Sequence, residues 1–91
     1  MSIPILHVRI ISPQQLILDT EADSVSSKNS QGPFDILAQH ANFISIIENS
    51  PIIVKTADQK PLKFLFPLAI ILVTNNKVNI YTYIQPSLDK K

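Results

Sequence analysis

The sequence predicts an all-β fold, a small antiparallel β-sandwich or flattened barrel of about eight to ten short strands. Apolar residues either alternate with polar ones or come in short runs, and no stretch keeps the apolar spacing of three and four residues that an amphipathic helix needs. Seven prolines break up the 91-residue chain, and clusters of Asn, Asp, Ser and Pro separate the apolar runs at regular intervals.

Leu6, Val8 and Ile10 alternate with His7 and Arg9 until Ser12-Pro13 ends a first strand. Leu16 and Leu18 face one side of a second strand, which leads into an acidic turn at Asp19, Thr20 and Glu21. Val25 to Ser27 is a weakly apolar third strand. Asn29 to Pro33 forms a loop holding Gly32, the single glycine of the chain. Phe34 to Leu37 reads as a strand, Ala38 to Asn42 as a tight corner, Phe43 to Ile47 as another strand and Glu48 to Pro51 as a turn. Ile52 to Thr56 and Leu62 to Phe66 flank a hairpin loop of Ala57, Asp58, Gln59, Lys60 and Pro61. Leu68 to Thr74 and Val78 to Tyr83 are joined by Asn75-Asn76-Lys77, where asparagine tolerates the positive φ that a short hairpin demands. Residues 1–84 form one domain on this reading, and 85–91 a short polar tail after Pro86.

Composition narrows the function. Hydrophobic residues make up 45% and charged residues only 16%, against about 25% charged in a typical soluble domain. So few charges solvate a surface weakly, which fits a domain covered by partners better than a free monomer. A domain of this size also buries only about 60–65% of the surface its unfolded chain exposes, so a partner would add substantially to its stability. The net charge of +1 and pI near 8.0 give no electrostatic case for nucleic acid. Charge is uneven along the chain: residues 1–48 carry Arg9 and Lys28 against five acids, net −3, and residues 49–91 carry six lysines against Asp58 and Asp89, net +4. Interleaving of the two signs on the folded surface is the simpler reading of that asymmetry.

No cysteine is present, so disulfides, thiolate nucleophiles and zinc-thiolate sites are excluded together. The first twenty residues lack the pattern of a signal peptide. The longest apolar run, Phe64 to Val73, contains Pro67 and is well short of the roughly 20 residues of a membrane-spanning helix. His7 and His40 are the only imidazoles, and neither has a nucleophile or carboxylate pattern beside it that marks a catalytic site. His7 lies on the polar side of its strand. His40 sits in the corner with Asn42, where it either fixes the turn by a hydrogen bond or meets a partner. Asp19, Glu21 and Asp23 alternate in the manner of a weak calcium or magnesium cluster, without the glycine turn and distal glutamate that such a loop requires. One glycine cannot supply the backbone amides of a phosphate loop, and Tyr81 and Tyr83 are ordinary strand residues rather than a base-stacking platform. The residues therefore point to no enzyme, no cofactor and no metal.

The stretch GPFDILAQHANFISIIENSPI resembles the central signature of the ATP synthase epsilon subunit, in which a glycine, a short strand, a Pro-Gly-His-Ala-Pro corner, an apolar strand and a Pro-Gly turn follow one another. Gly32, His40 and Ala41 stand where that pattern has its Gly, His and Ala. The opening LHVRIISPQQLILDTEADSV resembles the family's first strands and ILVTNNKVNIYTY its last hairpin, so that the likeness runs in register over residues 4–83. The departures are Ala38-Gln39 for Pro-Gly, Asn42 for the following proline, Asn49-Ser50 for the second Pro-Gly, and Leu68-Ala69 for paired glycines.

The resemblance implies the β-sandwich domain of a rotor subunit of the proton-transporting ATP synthase, coupling c-ring rotation to the gamma subunit and the catalytic head. It implies no catalysis and no cofactor, a peripheral place on the cytoplasmic side of a bacterial inner membrane, and contact with the membrane only through the c-ring. One face of the sandwich is expected on gamma. Ser30, Gln31, Gly32, Pro33, His40, Ala41 and Asn42 are expected at the end that meets the rotor ring. Family members continue into a helical hairpin that in many bacteria inhibits hydrolysis; the sequence stops at Lys91, so a subunit lacking that arm and its inhibition is expected. The alternative is a stand-alone β-sandwich protein-binding module derived from the same subunit.

Overall fold

The computed structural model describes residues 5–57 and 59–83; the expected polar tail lies outside the described residues. Seven strands run in chain order: β1 (Leu6–Ile11), β2 (Leu16–Ala22), β3 (Ser24–Asn29), β4 (Gly32–Leu37), β5 (Phe43–Lys55), β6 (Leu62–Thr74) and β7 (Lys77–Thr82). Among the described residues there is no helix, and the apolar run Phe64 to Val73 lies within β6. The strands form one sheet in the order β2-β1-β7-β6-β5-β3-β4.

A single sheet makes two layers because the long β5–β6 hairpin bends in its middle. In β5 the buried residues are Ser45 and Ile47, then Ile52 and Val54, so the inward side changes from odd to even positions. In β6 it changes in concert, from Phe66 to Ala69, Ile71 and Val73. The pairs Glu48↔Leu68 and Ser50↔Phe66 flank the change. Between them Asn49 takes a φ of 52° and Pro67 has no N–H to give the ladder. Carbonyls near the bend find side-chain donors instead: Thr82 Oγ1 donates to Leu68 O at 3.0 Å and Ser27 Oγ to Pro51 O at 2.9 Å, which removes the cost of leaving them unpaired in the interior. β7 pairs only with the part of β6 beyond the bend, and β3 only with the part of β5 after it. The result is a five-stranded layer, β2-β1-β7-β6-β5, folded onto a four-stranded one, β6-β5-β3-β4, as the two inward faces share one apolar core that includes Leu6, Ile10, Ile36, Ile52, Ile71 and Ile80.

The all-β sandwich matches the expectation, with differences in detail. Seven strands stand in place of about eight to ten, because the expected turn at Glu48–Pro51 and the break at Pro67 are bends inside β5 and β6. One pairing, β1 with β7, is parallel, so the sheet is mixed rather than wholly antiparallel. The expected acidic turn at Asp19–Glu21 is strand: Asp19 pairs with Arg9 and Glu21 with His7, and the chain turns at Asp23. The β6–β7 turn holds Asn75 and Asn76 alone, at φ of 50° and 64°, with Thr74 paired to Lys77. Both central residues at positive φ is the twist that suits a two-residue hairpin.

Candidate functional site

The loop residues singled out from sequence fall in two segments. Ser30 and Gln31 form the tip of the β3–β4 hairpin, where Asn29 pairs with Gly32. Asn29 Oδ1 accepts the Gln31 N–H at 2.8 Å and Asn29 Nδ2 donates to Ser45 Oγ at 2.9 Å, so one side chain both shapes the turn and ties it to β5. Neither Ser30 nor Gln31 has a positive φ, and the reversal is completed at Gly32, with φ of 122°. That requirement explains the glycine.

The corner from Ala38 to Asn42 is held from outside. Gln39, at φ of 68°, donates its N–H to Asn76 Oδ1 at 2.5 Å, and the His40 N–H reaches Leu37 O at 3.1 Å. The His40 ring donates from Nδ1 to Ala41 O at 2.7 Å, the orientation required because a carbonyl only accepts. His40 also packs edge-on against Phe43, at 5.5 Å between ring centroids, and Phe34 packs edge-on against the same ring at 5.3 Å. His40 thus serves the turn.

Phe43 is where the two segments meet: His40 packs on its ring, and Ser30 and Gln31 share a shallow groove with Phe43, Ile44 and Ile46. Ala41 and Asn42 are exposed. Pro33 does not join them. It lines a separate groove with Ser26, Asp35 and Ile53, where Asp35 accepts from Ser26 Oγ at 2.5 Å.

A larger feature went unread in the sequence. The outward face of the five-stranded layer carries Leu16, Ile11, Tyr81, Ile70 and Ile46 in one row, each side by side with the next by strand register. Ile46, Ile70 and Tyr81 expose 59%, 39% and 42% of their surface. At spacings of about 4.8 Å between strands the row is roughly 19 Å long. Ile44, exposed by 67%, and the half-buried Leu72 adjoin it in the next row. An apolar patch of this extent on a small domain marks a surface meant to be covered. The signal was present: Ile44, Ile46 and Ile47 in β5, and the run from Leu68 to Val73 in β6, put apolar residues on both faces of the strand, as happens where both faces are buried.

Such a fold, with an exposed apolar row running across one of its layers, defines a small β-sandwich domain. The family model for the ATP synthase delta/epsilon chain β-sandwich domain matches residues 5–83, and the chain belongs to that family. It is 29% identical over 75 residues to the ATP synthase epsilon chain of Clostridium botulinum, covering 82% of this chain and 56% of the relative. The chain spans about half the length of the curated relatives it matches. A chain in the cryo-EM structure of the Euglena gracilis mitochondrial ATP synthase superposes with a TM-score of 0.80 at 15% identity, over 87% of this chain and 51% of that one. A chain of the central stalk and c-ring structure of the Tetrahymena thermophila mitochondrial ATP synthase does so with a TM-score of 0.74 at 15% identity, over 87% and 63%. At that identity these two likenesses concern the fold.

Proposed function

We propose that this domain is a non-catalytic part of the rotor stalk of a proton-transporting ATP synthase, on the cytoplasmic side of a bacterial inner membrane. The gamma subunit packs on the apolar outer face of the five-stranded layer, and the loops Ser30–Pro33 and His40–Asn42 lie toward the c-ring. Its role is mechanical: it holds gamma and the ring in fixed relation so that torque passes between them. The observation that carries this reading is the apolar row across five strands, on a domain of a family named for ATP synthase subunits. The low charge content and small size support it, since both favour a domain completed by its partner.

Co-purification with gamma tests it. The full chain, mixed with the gamma subunit of its own synthase, should elute with it as a one-to-one complex. Returned to a synthase depleted of it, the chain should restore proton-coupled ATP synthesis. A chain that neither binds gamma nor restores coupling would refute the proposal.

A further inference from the structure

The covered-type face is polar at one end. Beside the apolar row, the next outward row reads Asp19, Arg9, Asn79, Leu72 and Ile44, and His7 and Lys77 follow beyond it as neighbours. His7, Arg9, Asp19, Lys77 and Asn79 line an open groove of about 500 Å³. It faces the same side as Tyr81 and Ile70, because Arg9↔Asn79 and Ile11↔Tyr81 are successive outward pairs of the same two strands.

Donors outnumber acceptors in this groove. Its one carboxylate, Asp19, accepts from His7 Nε2 at 2.5 Å and stands 3.9 Å from Arg9 Nε. Lys77 makes no ion pair among the described residues. The Lys77 ammonium, the outer nitrogens of the Arg9 guanidinium and the Asn79 amide are thus left to converge on an acceptor from outside. Rows two residues apart on a strand are separated by about 7 Å, so one segment lying on the apolar row also reaches the groove.

We propose that the gamma segment covering the apolar row carries an Asp or Glu side chain whose carboxylate enters this groove and accepts hydrogen bonds from Lys77 and Arg9. The inference rests on the docking reading above and deepens it by fixing the chemistry of the partner and the direction in which it lies. A side-chain carboxylate fits better than a phosphate group, since Asp19 in the groove repels a polyanion and no run of backbone amides is there to hold one. The pair sits at the rim of the interface, where charge sets register and association rate more than final affinity.

The test measures binding of the full chain to purified gamma over a range of salt concentrations, with wild type, Lys77→Glu, Arg9→Gln and Ile70→Asp compared. All these residues are exposed or outward-facing, and each variant is first shown to keep the wild-type melting temperature. Lys77→Glu is expected to slow association about tenfold at low salt and to flatten its salt dependence, with Arg9→Gln a weaker copy. Replacing the contacting gamma acid with Lys should then restore binding of Lys77→Glu. Wild-type binding and salt dependence in Lys77→Glu, together with loss of binding in Ile70→Asp, would overturn the carboxylate while leaving the docking face standing. Wild-type binding by Ile70→Asp as well would overturn the docking face itself.

Discussion

Replacing Gly32 by alanine isolates a purely torsional cost. Gly32 closes the β3–β4 hairpin at a φ of 122°, and a Cβ built on it meets nothing within 4 Å. No clash therefore contributes, and the whole effect is the strain of an L side chain in a region it avoids, about 1–3 kcal/mol. Against that, alanine removes some of glycine's freedom in the unfolded chain, which returns about 0.4–1 kcal/mol. The net loss is on the order of 1–2 kcal/mol. For a domain of this size each kcal/mol moves the midpoint by about 4–8 °C, so thermal unfolding followed by circular dichroism should show a drop of roughly 4–16 °C. Ser30→Ala, one position into the same turn but with no positive φ to maintain, should move it far less. Gly32→Trp should cost the free domain about as much as alanine, because the space around the position is open, and should weaken assembly with the rotor in addition. An unchanged midpoint for Gly32→Ala would refute the torsional argument, and equal rotor assembly by the tryptophan variant would remove Gly32 from the rotor-facing loops.

Ile71→Ala, at the centre of the shared core, should cost about 2–5 kcal/mol in chemical denaturation, a large share of the roughly 5–14 kcal/mol available to a chain of this length; a loss under about 1 kcal/mol would mean the two layers do not close there. Asn76→Ala removes both a residue suited to φ of 64° and the acceptor of the Gln39 N–H, and should speed hydrogen exchange at Gln39 while lowering the midpoint. His40→Ala should lower the midpoint of the free domain, since its ring bonds Ala41 O and packs on Phe43; lost binding to gamma at an unchanged midpoint would instead make it a contact residue. Calorimetric titration with ATP should give no saturable binding at micromolar concentration, because a single glycine cannot build a phosphate cradle, and saturation in that range would contradict the reading.

Where residues alternate cleanly or a turn has a chemical requirement, the sequence was enough to place the element. β1 and β7 followed from Leu6, Val8, Ile10 and Val78, Ile80, Thr82, and the last hairpin from two asparagines. What it hid were features decided between strands. Glu48 to Pro51 and Pro67 look like turns because their residues are turn formers, but two such breaks placed opposite each other in a hairpin bend it without ending it. Neither half of that arrangement is visible locally. β2 was cut short at Asp19 because its acids resemble a turn, when in fact they are the outward residues of a strand, opposite Arg9 and His7. Which groove a loop residue lines was equally hidden, since Ser30 and Gln31 lie beside Phe43 while Pro33 lies beside Ser26 and Ile53, a difference set by the pleat of β4. The apolar outer row could be found only once register aligned residues from five strands.

The bend in the β5–β6 hairpin also bears on how such a domain could carry load. In a sandwich built of two separate sheets, the layers meet only through side-chain packing, and a force applied to one can reach the other only across that apolar interface. Here β5 and β6 pass from one layer to the other as continuous strands, and the pairs on both sides of Asn49 and Pro67 keep one register. The gamma-facing surface proposed above is borne by β2, β1, β7 and the portions of β6 and β5 on one side of the bend, while the β3–β4 hairpin, with Ser30 and Gln31 at its tip, hangs from the portion of β5 on the other. Force entering at the apolar row therefore reaches that hairpin through continuous backbone, with Asn29 bonded to Ser45 as a second strut. Stiffness of the coupling then resides in the bend, and the residues to which it is most sensitive are Asn49, Pro67 and the two hydroxyl donors, Ser27 and Thr82, that satisfy the carbonyls there.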